Sequence, residues 1–152
     1  MAPITAKRAA NYILRRMHDS GEPISNLKLQ KLLYYAQGWH LALKDEPLFN
    51  ERIEAWVHGP AVPPVYGSFK QWSWQPIDWD PGKVDLPAPA KEHLDRVLER
   101  YGPLTAFHLE QLTHREAPWL KARKGIADDE PSHAVISCES MRAYFRRQLK
   151  GR

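Results

Sequence analysis

The sequence predicts a mainly α-helical protein of the α+β class, with about six helices around a central buried helix and a small antiparallel β element. Most of the chain repeats apolar residues with a helical period, and one long segment, 26–44, is apolar on several faces, as a buried central helix is. A short segment, 47–58, instead alternates with a period of two, which is typical of a half-buried strand. A chain of 152 residues suits one core, so residues 1–152 are expected to form a single domain.

The first two helices are predicted at 6–18 and 26–44, where Thr5 and Ser25 are suitable N-cap residues. Gly38 lies in the middle of the second helix, where glycine costs about 1 kcal/mol relative to alanine. Its presence there predicts that a neighbouring backbone packs closely against this helix.

The strand segment 47–58 is predicted to fold back on itself, with residues 47–49 as a short partner strand and a turn near Asn50. Trp39 and Trp56 both lie within predicted regular elements. Both are therefore expected to be core residues.

A proline-rich joint follows the strand. Gly59 permits unusual backbone angles and Pro60 offers no N–H, so this pair is expected to end the strand pairing. Pro63 or Pro64 can occupy the first turn of a third helix, which would run to about residue 71.

Residues 72–89 are predicted to be a long loop, with short strand pieces around 75–77 and 83–86. Ordered loops of this length are often functional, and aromatic residues are enriched at interface hot spots. The loop contains three tryptophans that are candidates for contact with a protein partner, Trp72, Trp74 and Trp79.

The remaining helices are predicted at 90–101, 106–116 and 138–149, with Thr105 and Ser137 as caps of the last two. A short helical turn is expected to begin at Pro118 and Trp119, and residues 124–132 are expected to form a polar loop.

The net charge of +4 is modest, which argues against nucleic acid as a partner. Residues 138–152, which include the last helix, contain five basic residues and one acidic residue, so phosphate contact by that helix is kept as an alternative function. Three of its residues are also candidates for contact with a protein partner, Arg142, Arg146 and Arg147.

Cys138 is the only cysteine, which excludes an internal disulfide and a C-x-x-C zinc site. The first residues lack the apolar core of a signal peptide, and no stretch approaches the roughly 18 uninterrupted apolar residues of a membrane span. The expected location is therefore the cytoplasm, with no membrane contact.

The sequence lacks the motifs of common enzyme classes. None of its histidines shows the H-x-x-x-H spacing, and His108 and His114 would face different sides of a helix. There is no Walker loop, no G-x-G-x-x-G and no G-x-S-x-G motif. His58 is interpreted as a strand-end histidine, hydrogen-bonded across the turn, rather than as a general base. No catalytic residue, metal site or cofactor is expected.

Three segments, 24–43, 48–70 and 112–123, together resemble one protein family. They are similar to the Panacea domain, also called the SocA-like antitoxin domain and sometimes described as a phage-associated protein. The resemblance covers nearly the whole chain in the right order, although Ala61 stands where the family pattern has a second valine. The positions that the resemblance implies to be structural are Leu29, Lys31, Leu32, Tyr34, Trp39, Trp56, His58, Gly59, Pro60, Pro63, Tyr66, Thr113, His114, Pro118 and Trp119.

The resemblance implies an antitoxin of a toxin–antitoxin system rather than an enzyme, with a protein toxin encoded nearby as its partner. Direct binding of the toxin is the first expectation. An adaptor that delivers the toxin to a Clp-type protease is the alternative, as in the member that gives the family its name. Many members carry a separate helix-turn-helix domain, for which this chain has no room. The sequence leaves open the identity of the toxin and the oligomeric state.

Overall fold

The computed structural model describes residues 1–151, and within them the chain forms seven α-helices and a three-stranded sheet. This confirms the predicted mainly helical fold with a small antiparallel element. The helices are α1 (Ala6–Asp19), α2 (Asn26–Lys44), α3 (Pro63–Phe69), α4 (Ala88–Tyr101), α5 (Ala106–Thr113), α6 (Ala117–Ala122) and α7 (Cys138–Lys150). The strands are β1 (Ile53–Trp56), β2 (Gly59–Ala61) and β3 (Val135–Ile136), and a 3₁₀ turn, Lys70–Trp72, follows α3.

Helix α2 lies at the centre of the fold, as its pattern predicts. Every residue from 29 to 42 is buried, because α1, α3, α4, α5 and α7 all pack against this helix. Trp39 is buried as predicted, and its indole N–H donates to the Tyr101 hydroxyl of α4 at 2.8 Å.

The predicted helix caps are all confirmed. Each cap side chain accepts a hydrogen bond from the backbone N–H three residues later, which satisfies one of the free donors of the first turn. The four cap residues are Thr5, Ser25, Thr105 and Ser137.

Gly38 does make room for a close neighbour, but the neighbour is a side chain and not a backbone. Helix α7 crosses α2 so that the Phe145 ring lies directly against Gly38, and a Cβ atom at this position would overlap the ring. Phe145 is buried and also contacts Trp39, with the two ring centres 5.1 Å apart.

The sheet has the strand order β2-β1-β3, and both pairings are antiparallel. The partners of β1 are therefore residues 59–61 and 135–136, and the prediction of 47–49 as its partner was wrong. The turn lies at Val57 and His58 rather than near Asn50.

Residues 48 and 49 need no strand partner because an amide side chain of α2 satisfies their backbone. The Gln37 side chain accepts from the Leu48 N–H at 2.8 Å and donates to the Phe49 carbonyl at 2.7 Å. Leu48 and Phe49 then bury their side chains in the core.

Pro60 does not end the strand pairing, as it was expected to do. It lies within β2 opposite Ala55 of β1. Because β2 is at the edge of the sheet, a residue without an N–H is tolerated there. Gly59 has the expected unusual backbone, with φ +117°, and Pro63 begins α3 as predicted.

Two other boundaries differ from prediction. Helix α5 ends at Thr113 and not at 116, because Glu116 turns inward and is the N-cap residue of α6. Pro76 forms a single β-bridge with Ser25, and within the described chain no strand is present at 83–86.

Candidate functional site

A cavity of about 270 Å³ opens beside the β1–β2 hairpin. The hairpin forms one side, α2 forms the floor, and Tyr66 of α3 and residues 131–133 complete the walls. We call this cavity the hairpin pocket, and its main lining residues are Leu27, Lys31, Trp56, Pro60, Tyr66 and His133.

Two aromatic rings form the apolar wall of the hairpin pocket. Trp56 and Tyr66 meet edge to face, with ring centres 4.9 Å apart. Trp56 lies in β1 as expected, but it is half-buried and lines the pocket, so the prediction that it is a core residue was wrong. The alternating pattern of the strand explains this, because it places Trp56 on the same face as Glu54 and His58 and opposite the buried Ile53.

A buried carboxylate fixes the orientation of the Trp56 indole. Glu54 accepts from the Trp56 indole N–H at 2.9 Å, from Arg52 at 2.8 Å and from the His133 ring at 3.1 Å. Burial raises the pKa of Glu54, but these hydrogen bonds outweigh it and hold that pKa below its usual range. Glu54 therefore remains charged and continues to accept from the indole at neutral pH.

The floor of the pocket contains a buried lysine. Lys31 is 1% exposed, and its ammonium donates to the Leu27 carbonyl at 3.2 Å. Burial lowers the pKa of Lys31 to about 8, although the nearby Glu110 carboxylate favours the charged form. Gly59 lies close above it, since a Cβ atom on Gly59 would be 3.2 Å from the Lys31 Cε.

The segment 112–123 holds the hairpin through two consecutive backbone carbonyls. Arg123 donates to the Ala55 carbonyl at 2.9 Å and the Trp119 indole donates to the Trp56 carbonyl at 2.8 Å. The His114 ring stacks on the Trp119 ring, with ring centres 4.2 Å apart, and the Arg123 guanidinium lies 5.0 Å from the centre of the Trp119 ring.

Helix α2 holds the other end of the hairpin. The Gln30 side chain accepts from the Val62 N–H at 2.8 Å, and it is itself oriented by Asn26 at 2.9 Å. Asn26 also donates to the Tyr66 carbonyl at 3.1 Å. The hairpin is therefore fixed by buried polar side chains on both of its flanks.

The structure thus brings the three family-like segments together at the hairpin. Segment 24–43 supplies the floor, 48–70 supplies the hairpin itself and 112–123 supplies its support. Of the remaining motif positions, the half-buried Pro63 begins α3, and the others lie in the buried interior, namely Leu29, Leu32, Tyr34, Trp39, Thr113 and Pro118.

His58 lies in the turn of the hairpin and is exposed. Its Nδ1 atom is 3.3 Å from a carboxylate oxygen of Glu110 in α5. His58 therefore contacts a neighbouring helix instead of forming the expected hydrogen bond across the turn. The contact is an ion pair when the ring is protonated.

The three loop tryptophans form a separate surface, which we call the tryptophan face and define as Trp72, Trp74 and Trp79. Trp72 and Trp79 both pack against Phe69, with ring centres 6.1 and 5.5 Å away. Trp74 projects into solvent and is 76% exposed. None of the three lines the hairpin pocket.

The basic residues of α7 are partly neutralised by an acid. Arg142 and Arg146 both reach Asp45, just after α2, at N···O distances of 3.0 Å. Arg147 is exposed. Two of the three predicted contact arginines are thus already paired within the chain.

A separate cluster of ionisable groups, formed by Glu116, Tyr34 and Tyr35, lies in the interior. Glu116 accepts from the Tyr34 hydroxyl at 2.9 Å and from the Tyr35 hydroxyl at 3.0 Å. Burial raises the pKa of Glu116 to about 7, and these hydrogen bonds oppose the shift. The cluster lies beneath α7, away from the pocket lining, and supports the start of α6.

Sequence reasoning missed the pocket itself. His133 carries no motif that would single it out, and it reaches the pocket because β3, which closely follows it, pairs with β1 from about 80 residues away in the chain. Within residues 1–151, no group of three or more His, Cys, Asp or Glu side chains is arranged to hold a metal ion. No helix in this described part has the length and apolar character required to span a membrane.

The fold and the hairpin pocket define a small α+β domain whose buried polar side chains are arranged to support one hairpin. Comparison with known proteins identifies its family. The chain matches the family described as "Antitoxin SocA-like, Panacea domain" over residues 29–120, and it belongs to that family. It is 35% identical to Antitoxin SocA of Caulobacter vibrioides (strain NA1000 / CB15N) over 129 residues, which cover 76% of this chain and 69% of that protein. No solved structure matches it.

Family membership confirms the resemblance seen in the three sequence segments. It also supports an antitoxin role for this protein, with a toxin as its partner in general.

Proposed function

We propose that this protein neutralises a protein toxin by binding it directly, and that the hairpin pocket is the contact surface. One observation carries the proposal: all three family-like segments either line the pocket or hold its hairpin in place. Buried polar networks are costly unless fully satisfied, so such a network around a largely buried hairpin with an exposed turn is best explained by a need to fix its shape.

The chemistry of the pocket suits protein recognition. Tryptophan and tyrosine are the residue types most enriched at binding hot spots, and here Trp56 and Tyr66 form one wall of an apolar cavity. The hairpin is rigid because its backbone is bonded on both flanks, which reduces the entropy lost on binding.

The proposal can be tested by co-expressing this protein with the toxin encoded beside it and scoring growth. Trp56→Ala should abolish rescue and weaken binding of the purified toxin by about 2 kcal/mol or more, the usual effect at a hot spot. Phe107→Ala is the matched control, because Phe107 is an aromatic residue, 68% exposed, on α5 outside the pocket lining. Equal rescue by both variants would contradict the assignment of the contact surface.

The tryptophan face is the second candidate surface. Trp74 is 76% exposed, which is unusual for so large an apolar side chain. If Trp74→Ala abolishes rescue while Trp56→Ala does not, the toxin binds this face instead. Arg147→Ala tests the exposed part of the basic helix in the same assay.

The adaptor alternative shares the binding step and differs in its outcome. An adaptor shortens the half-life of the toxin in cells that contain the Clp-type protease, whereas a direct inhibitor leaves that half-life unchanged. A pulse-chase measurement of the toxin, with and without this protein, separates the two.

A further inference from the structure

The hairpin pocket combines apolar walls with one buried cation. The walls are formed by Leu27, Trp56, Pro60 and Tyr66, while Lys31, which is 1% exposed, lies at the floor. A buried ammonium is costly unless it is paired or fully hydrogen-bonded.

Lys31 is incompletely satisfied within the described chain. An ammonium has three N–H donors, and the one hydrogen bond that residues 1–151 provide is to the Leu27 carbonyl at 3.2 Å. The nearby carboxylate of Glu110 lies closest to another group, since its oxygen is 3.3 Å from the His58 ring. A carboxylate that reached Lys31 from the pocket would therefore supply an acceptor that its ammonium lacks.

The size of the pocket limits what can enter. A cavity of about 150 Å³ is enough for a benzene ring, so about 270 Å³ accommodates one large apolar side chain with a small polar group beside it. It is too small for a helix, whose diameter with side chains is about 10–12 Å.

We propose that the hairpin pocket binds the carboxyl-terminal residue of a partner protein, with an apolar side chain between Trp56 and Tyr66 and the terminal carboxylate on Lys31. A terminal residue carries both groups on one carbon atom, and its chain has to leave the pocket only once. Capture of a free carboxylate is an established mode of peptide recognition. This inference rests on the proposed function, because it specifies which part of the toxin the pocket would take.

The test uses short N-acetylated peptides that end in leucine or phenylalanine, each prepared as the free acid and as the amide. The signal of the Trp56 indole N–H in NMR spectra reports occupancy of the pocket directly. The free acids should shift this signal and bind at least about tenfold more tightly than the amides, because a hydrogen bond to a charged group is lost on amidation.

Lys31→Met provides the matched variant, since methionine has a similar length and no charge. In this variant the acid and the amide should bind equally, and Tyr66→Ala should weaken both. If Lys31→Met does not fold, the comparison of acid with amide on the unchanged protein decides alone. Equal binding of acid and amide by the unchanged protein, or binding of neither, would overturn the inference.

A carboxylate beside an apolar side chain could also come from an internal acidic residue. An amidated peptide with an internal Asp-Phe pair tests this alternative. If it binds as well as the free acids, the pocket takes an internal acidic segment and the carboxyl-terminal inference is wrong. The growth rescue assay is scored separately. A protein that neutralises its toxin but does not distinguish acid from amide keeps the proposed function and loses this inference.

Discussion

The β1–β2 hairpin and the tryptophan face both present aromatic side chains to solvent, but their supports differ. Two consecutive carbonyls of the hairpin, at residues 55 and 56, accept hydrogen bonds from buried side chains. The loop that carries the tryptophan face is attached at points away from its tip, such as the Ile77 N–H, which donates to the Ile24 carbonyl at 2.8 Å. Both regions therefore expose some aromatic surface. Within the described chain, only in the hairpin do buried side chains hold the backbone next to the aromatic residue.

This difference matters for recognition. A rigid, pre-formed surface loses little entropy when a partner binds, whereas a loosely held aromatic side chain must be ordered at a cost. Trp56 is oriented by Glu54 through its indole N–H, but Trp74 has no such partner within the described residues. The hairpin has the features of a specific site, and Trp74 those of an accessory contact.

The largest expected effect concerns the support of the hairpin. Trp119→Ala removes a fully buried ring and the donor to the Trp56 carbonyl, so it should lower the free energy of unfolding by about 3–5 kcal/mol. Urea denaturation measures this change. Trp74→Ala is the matched control and should change stability by less than about 0.5 kcal/mol, because the side chain is 76% exposed. Similar losses of unfolding free energy in both variants would show that the hairpin support contributes no more to stability than the tryptophan face does.

The next effect is a pH dependence that belongs to the hairpin support alone. Glu116 is the N-cap residue of α6, the helix that carries Trp119, and burial raises the pKa of Glu116 to about 7 from an ordinary value of 4.5. The folded state binds this proton more tightly than the unfolded state does. The contribution is therefore full below about pH 4.5 and is lost as the pH rises through about 7.

Glu116→Gln should remove this dependence, which amounts to at most about 3 kcal/mol between pH 4.5 and pH 7.5. Denaturation of both proteins across that range measures it. The buried His93, whose pKa burial lowers to about 4, acts in the opposite direction, destabilising the fold as the pH falls below 6.5. It is present in both proteins, so the difference between them isolates Glu116. Parallel pH profiles would contradict the assignment.

A pair of glycines sharpens the comparison further. Gly59→Ala places a Cβ atom 3.1 Å from the Thr113 hydroxyl and 3.2 Å from the Lys31 Cε, at φ +117°. Steric and backbone strain together should cost about 2–3 kcal/mol. Gly82→Ala, in the loop that carries the tryptophan face, has φ +72° and meets nothing within 4 Å, so about 1 kcal/mol is expected. Thermal melts of the two variants decide whether the hairpin is the more tightly constrained region.

The sequence was sufficient to predict features that depend on neighbouring residues, such as helix caps and helix starts. Thr5 and Ser25 act as caps because a side chain and the N–H three residues later are close in any helix start, and Pro63 begins α3 for an equally local reason. The long apolar segment of α2 likewise predicted its central position.

Long-range contacts were beyond such patterns. Residues 135–136 pair with β1 although some 80 residues separate them, and the Gln37 amide replaces the strand partner that 48–49 were expected to provide. The pocket depends on the first of these contacts, because residues 131–133, which complete its walls, directly precede β3. Trp56 could have been assigned correctly, since the period of the strand already placed it on the Glu54 face.

The smallest expected effect concerns the attachment of the tryptophan face to the core. The Lys7 ammonium lies 4.3 Å from the centre of the Phe69 ring and 5.4 Å from that of Trp79. A partly exposed cation–π contact contributes about 0.5–1 kcal/mol, so Lys7→Met should destabilise the protein by no more than that. Because methionine keeps most of the apolar stem, a loss above 1 kcal/mol in urea denaturation would show that the tryptophan face is held more firmly than Trp74 suggests. The hairpin would then no longer be the only rigid aromatic surface, and rescue by Trp74→Ala would become the decisive measurement.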